Sequence, residues 1–236
     1  MNKDPFPLHH PTIGVVVPAY RAEASIGDVV RAVRAAGLPV VVVDDGSPDR
    51  TSECAGEAGA EVVRLPQNAG KGSALHAGIV HAHARGWTWM VAMDADGQHA
   101  PSALPLFRAK VESRAGVVVG ARRLRPDVMP WPRVCSNRLT TLLLSVQAGC
   151  RLWDSQCGYR MYRVDACLSA NLPATGRFEW ESEALVRMAR HGWAVDRVDV
   201  PTLYGDETSH IRPWRDTARF VGLWFRLWGQ ILSGRI

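Results

Sequence analysis

Acidic residues recur in this 236-residue chain where short apolar runs stop. The valine run at 40–43 ends at Asp44-Asp45-Gly46-Ser47, and the run at 87–93 ends at Asp94-Ala95-Asp96-Gly97-Gln98-His99. Asp94 and Asp96 stand two apart at a strand end, so both carboxylates can face one crevice while Gly97 lets the backbone turn away. Carboxylates at neighbouring strand ends are costly together unless a cation or hydrogen-bond donors compensate them. A divalent cation bridging a diphosphate would do so, and oxygen ligands suit magnesium or manganese. Taken alone, Asp-x-Asp is also an ordinary solvated turn. A calcium loop does not fit, because the glycine falls at the fourth position and Pro105 stands where a bidentate Glu belongs.

A second feature is Asn68-Ala69-Gly70-Lys71-Gly72. Two glycines around Lys71 allow backbone and ammonium to approach a phosphate at a helix N-terminus. It is not a Walker A loop, since Leu65 replaces the first glycine and Gly72 follows the lysine. No Gly-x-Gly-x-x-Gly follows the first strand, which disfavours a dinucleotide or methyl-donor site.

The elements that must position these residues alternate. Strands are expected at 13–17, 40–43, 61–65, 87–93 and 116–119, with helices at 25–36, 49–58, 73–85 and 101–113 between them. Ser47 followed by Pro48 reads as a helix N-cap with proline in the first turn. Continuous Val-rich strands separated by helices indicate a mostly parallel sheet with helices on both faces, an α/β single domain. Ligands in such sheets lie beyond the carboxyl ends of the strands. The second half is less regular. An Arg- and Pro-rich loop at 122–133 precedes a helix at 136–147 with Leu139, Leu142, Leu143 and Val146 on one face, for which a core role is expected and an interfacial one is the alternative. A polar segment, Asp154-Ser155-Gln156-Cys157-Gly158-Tyr159-Arg160, follows, then a helix at 178–191 and a strand at 194–200.

Composition excludes other classes. Five cysteines, widely spaced and without Cys-x-x-Cys, fit neither a disulfide framework nor a structural zinc site. The net charge of +5 is mild and carried almost wholly by Arg, with no basic patch interleaved with aromatics, so no nucleic-acid partner is expected. No run of about 20 apolar residues is present, and no span is expected. His9, His10, His76, His81 and His83 read as ordinary surface or core histidines.

In this order, Val-Val-Val-Pro-Ala-Tyr, Val-Val-Val-Asp-Asp-Gly-Ser-Pro, Asn-x-Gly-Lys-Gly and Met-Asp-Ala-Asp-Gly-Gln resemble family-2 glycosyltransferases of the GT-A, Rossmann-like fold. Asp154 to Arg160 with Tyr162-Arg163, Val119-Gly120-Ala121-Arg122 and Glu181 are similar to the dolichyl- or polyprenyl-phosphate mannosyltransferase subgroup. The resemblance implies an inverting transfer from a nucleotide-sugar donor. Pro18, Tyr20, Glu23, Asp44 and Asp45 would line the nucleotide, with Lys71, Asp94 and Ala95 also at the donor. Asp94, Asp96 and Gln98 would hold Mg2+ or Mn2+. Arg122 and Arg133 would meet an acceptor phosphate, with Asp96, Asp154 and Glu181 as further catalytic candidates. Family members usually carry Asn after the tyrosine, and here Arg21 stands there. No Gln-x-x-Arg-Trp is present, so a processive synthase is not implied.

A phosphate acceptor is already an anionic nucleophile and needs no strong base. The alternatives are a transferase acting on a hydroxyl of a lipid, glycan or secondary metabolite, a nucleotidyltransferase, and a non-catalytic sugar-nucleotide-binding protein. The nucleotidyltransferase is disfavoured because the Gly-rich, Arg-containing loop after the first strand is missing. The non-catalytic protein is disfavoured because the Asp94/Asp96 pair is kept. Domain limits are expected at 1–12 for a tail, 13–217 for the catalytic domain and 218–236 for a C-terminal helix. In that helix Phe220, Leu223, Trp224, Leu227, Trp228 and Ile231 recur at helical spacing beside Arg219, Arg226 and Arg235. The pattern fits an interfacial anchor, and equally a helix docked on the domain or on a second subunit. It leads to the expectation of a cytoplasmic enzyme, peripheral at the inner membrane, with a lipid-linked or lipid acceptor. The resemblance implies a mobile loop near the active site at 204–210, where Arg212 and Arg215 would close over phosphate, with simple surface solvation as the alternative.

Overall fold

The computed structural model describes residues 12–122, 129–177, 179–201 and 213–236, with 213–218 by backbone only. The loop expected at 204–210 and Arg212 lie outside the described residues, as does the side chain of Arg215. Seven strands form one sheet: β1 (Ile13–Ala19), β2 (Val40–Asp44), β3 (Glu61–Arg64), β4 (Trp89–Ala92), β5 (Ala115–Arg122), β6 (Arg160–Arg163) and β7 (Ala194–Val200), in the order β3-β2-β1-β4-β6-β5-β7. All neighbours run parallel except β6, which is antiparallel to β4 and β5. β6 is an addition to the expected strands: only Arg160 of its four residues belongs to the segment that reads as polar. It forms because Arg160 and Tyr162 bury on one side and Met161 on the other, opposite Val91 and Val118.

Among the described residues eight α-helices cover the sheet: α1 (Ile26–Ala35), α2 (Thr51–Glu57), α3 (Lys71–Ala84), α4 (Leu104–Arg108), α5 (Trp131–Ala148), α6 (Val164–Ser169), α7 (Glu179–Arg190) and α8 (Pro213–Leu232). Strand side chains alternate between two cores. Val16, Val41 and Val43 join Leu75, Ile79, Leu144, Trp180, Leu185, Leu223 and Leu227 on one face. Val15, Val17, Val40 and Val42 join Ile26, Val30, Val33, Ala55 and Phe107 on the other. The expectation of a doubly covered, mostly parallel sheet is met.

Three expectations change. The Ser47–Pro48 cap does not form: α2 begins at Thr51, whose N–H and hydroxyl both donate to Asp49. Ser47 is buried and its hydroxyl accepts from the Arg21 N–H. Second, α5 starts at Trp131, which puts Arg133 in a helical first turn and not in a loop. Its buried face is Val134, Asn137, Thr141, Leu144, Gln147 and Ala148. Leu139, Leu142 and Val146 point outward at 57%, 61% and 58% exposure, so they have no core role. Polar ties decide this orientation: Thr141 bonds Ser155, and Gln147 donates to the Trp224 carbonyl. Third, α8 runs unbroken across the boundary expected at 217/218 and is docked on the domain. Leu223 and Leu227 are buried, and Glu183 of α7 holds Arg226 at 2.6 Å.

Candidate functional site

The site is built at the carboxyl ends of β1, β2, β4 and β5. β2 delivers Asp44 and Asp45, both buried and both engaged by the protein itself. Asp45 accepts from the backbone N–H groups of Ala69 and Gly70 at 2.8 Å each, clamping the loop that leads into α3. Asp44 accepts from the Ser47 N–H and from the Ser52 hydroxyl. Pro18 is buried within β1 beside Val43. All three lie at the β1 and β2 ends where a nucleotide contact is expected, and Asp44 and Asp45 also brace the loops there through these hydrogen bonds. Tyr20 is 43% exposed and Glu23 is exposed, its carboxylate accepting from the Arg50 N–H. Arg21 adopts φ 53°, the left-handed region where Asn is the favoured side-chain-bearing residue, and its guanidinium lies 5.5 Å above the Tyr20 ring.

With its loop fixed by Asp45, Lys71 opens α3 and reaches across to β4. Its ammonium pairs with Asp94 at 2.6 Å and with Glu181 of α7 at 3.1 Å. Burial works against the Lys71 charge, but the two carboxylates outweigh it and hold the ammonium well above the usual lysine range. Burial likewise pushes the Asp94 carboxyl up, while Lys71 and then His99 outweigh it and hold it at about 2. Gly158 makes this convergence possible: a Cβ there would stand 2.8 Å from Lys71 Nζ, 3.0 Å from Asp94 Oδ2 and 3.2 Å from Glu181 Oε1. Arg160, fully buried, donates to the Cys157, Ser155 and Glu181 carbonyls and ties the 155–158 turn to α7.

Asp96 is exposed and accepts from the Gln98 N–H at 2.9 Å, with Gly97 at φ 76° between them. The Gln98 side chain is exposed, and Ala95 is tied by its carbonyl to the Ser25 hydroxyl at 2.7 Å. His99 was not among the residues singled out by sequence. Its Nδ1 accepts from the Asp94 N–H at 2.9 Å and its ring stacks on Tyr159 at 4.7 Å, so it holds the Asp94–Asp96 turn in place. Burial, ahead of the opposing Asp94 charge, lowers its basicity. No spacing in the sequence marks His99, which acts through contacts between distant segments, whereas Gly158 falls within the Asp154–Arg160 segment that carries the resemblance, where its role as an empty Cβ position does not show.

At the end of β5 a second polar cluster forms. Asp154, only 1% exposed, accepts from Arg122 Nε at 2.8 Å and from its terminal NH2 at 3.1 Å, and also from the Gln156 N–H. The pair is bidentate, the geometry that fixes a guanidinium plane. Asp154 thereby fixes the orientation of Arg122. Arg133 is half-buried in the first turn of α5.

These features match a known family. Over residues 14–168 the chain matches the model of Glycosyl transferase family 2. The chain belongs to glycosyltransferase family 2. Among its relatives are the undecaprenyl-phosphate mannosyltransferase of Micrococcus luteus, 32% identical over 80% of this chain and 86% of that one, and the polyprenol monophosphomannose synthase of Mycolicibacterium smegmatis, 29% identical over 80% and 76%. Among solved structures, glucosyl-3-phosphoglycerate synthase of Mycobacterium tuberculosis with uridine diphosphate superposes with a TM-score of 0.70 at 21% identity, over 93% of this chain and 81% of that one. That likeness shows the GT-A fold; crystals of the same enzyme also hold uridine diphosphate with Mn2+ or Mg2+.

Among the described residues no group of three or more His, Cys, Asp or Glu side chains could hold an ion. Asp94 and Asp96 supply two carboxylates at an open crevice, and the buried Glu181 Oε1 beside Gly158 lacks a hydrogen-bond partner. That set fits magnesium or manganese, which take one or two carboxylates and complete their shell with substrate phosphates and water.

Proposed function

We propose that this glycosyltransferase moves a sugar from a nucleoside diphosphate to the phosphate of a polyprenyl phosphate, at a membrane surface, with inversion. The observation that carries the reading is the junction of β5 and α5. There Arg122 is locked in plane by Asp154, Arg133 stands in the first turn of α5, and the same helix turns Leu139, Leu142 and Val146 outward. A planar guanidinium held in one orientation suits a phosphate oxyanion. The names of the relatives point to the same acceptor class.

In this mechanism Asp94 and Asp96 would hold Mg2+ or Mn2+ against the donor diphosphate. When bound, such an ion supplies charge stabilisation for the departing nucleoside diphosphate. Tyr20 and Glu23, on the exposed rim, flank the nucleotide, and Lys71 opens α3 facing the diphosphate. Arg122 and Arg133 bind and align the acceptor phosphate. Its ionised oxygen attacks the anomeric carbon as the bond to the diphosphate breaks, so no proton has to be removed and alignment supplies most of the acceleration. Inversion follows from one displacement, and the anomeric configuration of the product read by NMR tests it: a retained configuration overturns the single step.

Membrane contact is supported by exposed apolar side chains on two adjoining helices: Trp131, Leu139, Leu142 and Val146 on α5, and Val221, Phe225 and Leu232 on α8. No helix among the described residues is long and apolar enough to cross a membrane. The deciding experiment offers UDP- and GDP-sugars with manganese to three acceptors: a short polyprenyl phosphate, the matching polyprenol, and a soluble phosphorylated hydroxy acid. Transfer to the polyprenyl phosphate is expected. Transfer to the alcohol or to the soluble acid alone overturns the acceptor assignment.

A further inference from the structure

Lys71 sits where a metal-binding carboxylate would have to be free. Its Nζ is 2.6 Å from Asp94 Oδ1 and 3.1 Å from Glu181 Oε2, so one ammonium is shared between the two acids. A divalent cation arriving at Asp94 by itself would meet that ammonium at close range, and like charges in a partly desolvated pocket repel strongly. Lys71 has somewhere else to go. Glu181 Oε1 is buried without a partner, and only the absent side chain of Gly158 separates it from the ammonium and from Asp94 Oδ2. The Lys71 stem rises from the first residue of α3, the end of a helix that favours anions.

We infer that Lys71 is an internal counter-ion for Asp94, which a bound nucleoside diphosphate draws away toward Glu181 and its own phosphates, so that metal and donor bind as a coupled pair. This rests on the donor site proposed above. The opposite charges of the ligand perform the exchange: the diphosphate takes over the ammonium, and Asp94 is released to the cation in the same event. Asp45 makes the device dependable, since its two hydrogen bonds to Ala69 and Gly70 fix the point from which Lys71 swings. The coupling matters for a transferase, because a cation resident without donor would leave the crevice open to other anions.

The test is Mn2+ binding to the full chain, followed by the electron paramagnetic resonance of free Mn2+, without nucleotide and with UDP or GDP. Wild type is expected to bind Mn2+ at least ten-fold more tightly with one of the nucleotides than without. Lys71→Met should bind Mn2+ alone at least ten-fold more tightly than wild type does, with the nucleotide enhancement correspondingly reduced. Glu181→Gln gives the complementary arm and keeps the test decisive if Lys71→Met does not fold. It leaves Lys71 on Asp94 alone, so Mn2+ binding without nucleotide should weaken and the enhancement should grow. A folded Lys71→Met protein that binds Mn2+ alone no better than wild type overturns the counter-ion role, as does a Glu181→Gln protein with unchanged coupling. If wild type takes up no Mn2+ with either nucleotide, the donor-site reading fails and the counter-ion role with it.

Discussion

Replacing Asp154 separates two roles for a buried acid beside the acceptor site. Removing one partner of a buried ion pair costs about 3–5 kcal/mol. Here Asp154 is 1% exposed and Arg122 is 24% exposed, so without Asp154 the guanidinium keeps part of its hydration. The low end, about 3 kcal/mol, then applies to Asp154→Ala. At about 2–4 °C per kcal/mol for a chain of this size, the melting temperature should fall by about 6–12 °C. Asp154→Asn keeps the shape and one acceptor but turns an NH2 toward an Arg122 N–H, and about half that loss is expected. Calorimetry reads the stability, and steady-state kinetics reads the role. A positioning acid predicts an acceptor KM raised about ten-fold or more in Asp154→Asn, a loss of about 1.4 kcal/mol of binding, with donor KM and the shape of the pH profile unchanged. An unchanged acceptor KM with a hundred-fold fall in kcat and a vanished acid limb would mean that Asp154 is the base. Melting curves identical to wild type for both variants would refute the packing argument.

Asp96→Ala should abolish transfer while moving the melting temperature by no more than about 2 °C, since the side chain is exposed and bonds only within its own turn; full activity in excess chelator would refute the metal role. Asp94 carries a pH signature in chelator-treated protein. Its carboxyl is held down at about 2, so its contribution, up to about 2 kcal/mol, is complete above the unfolded value of about 3.9 and is lost as pH falls toward 2. The stability gap between wild type and Asp94→Asn should therefore close between about pH 4 and pH 2, and a gap constant over that window would show that Lys71 does not hold the carboxyl. Leu142→Glu and Phe225→Glu, both outward-facing, should each lower sedimentation with anionic vesicles at low salt without changing the melting temperature. Truncation of α8 is the weaker experiment, since it uncovers Leu223 and Leu227; wild type left in the supernatant would end the membrane reading.

What the sequence determined by itself was whatever local pattern controls. Valine runs alternating with helical stretches specify a doubly covered parallel sheet, because such strands must bury both faces. An acidic pair and a glycine at a strand end specify where oxygen ligands gather. Motif order specified the family. Tertiary structure decided which polar groups face the crevice and which hold it up. Asp44, Asp45 and Asp154 have the same sequence character as Asp94 and Asp96, yet amides and a guanidinium from segments up to 32 residues away take their oxygens. The pairing of Lys71 with Asp94 and Glu181 joins residues from three segments, and the empty Cβ position at Gly158 comes from a fourth. Helix α5 shows the reason most plainly. Its periodicity announces one apolar face, but Thr141 and Gln147 find buried hydrogen-bond partners on the other, and so the leucines are turned outward. Periodicity can place residues on a shared face; only the partners that the rest of the chain brings decide which face is buried.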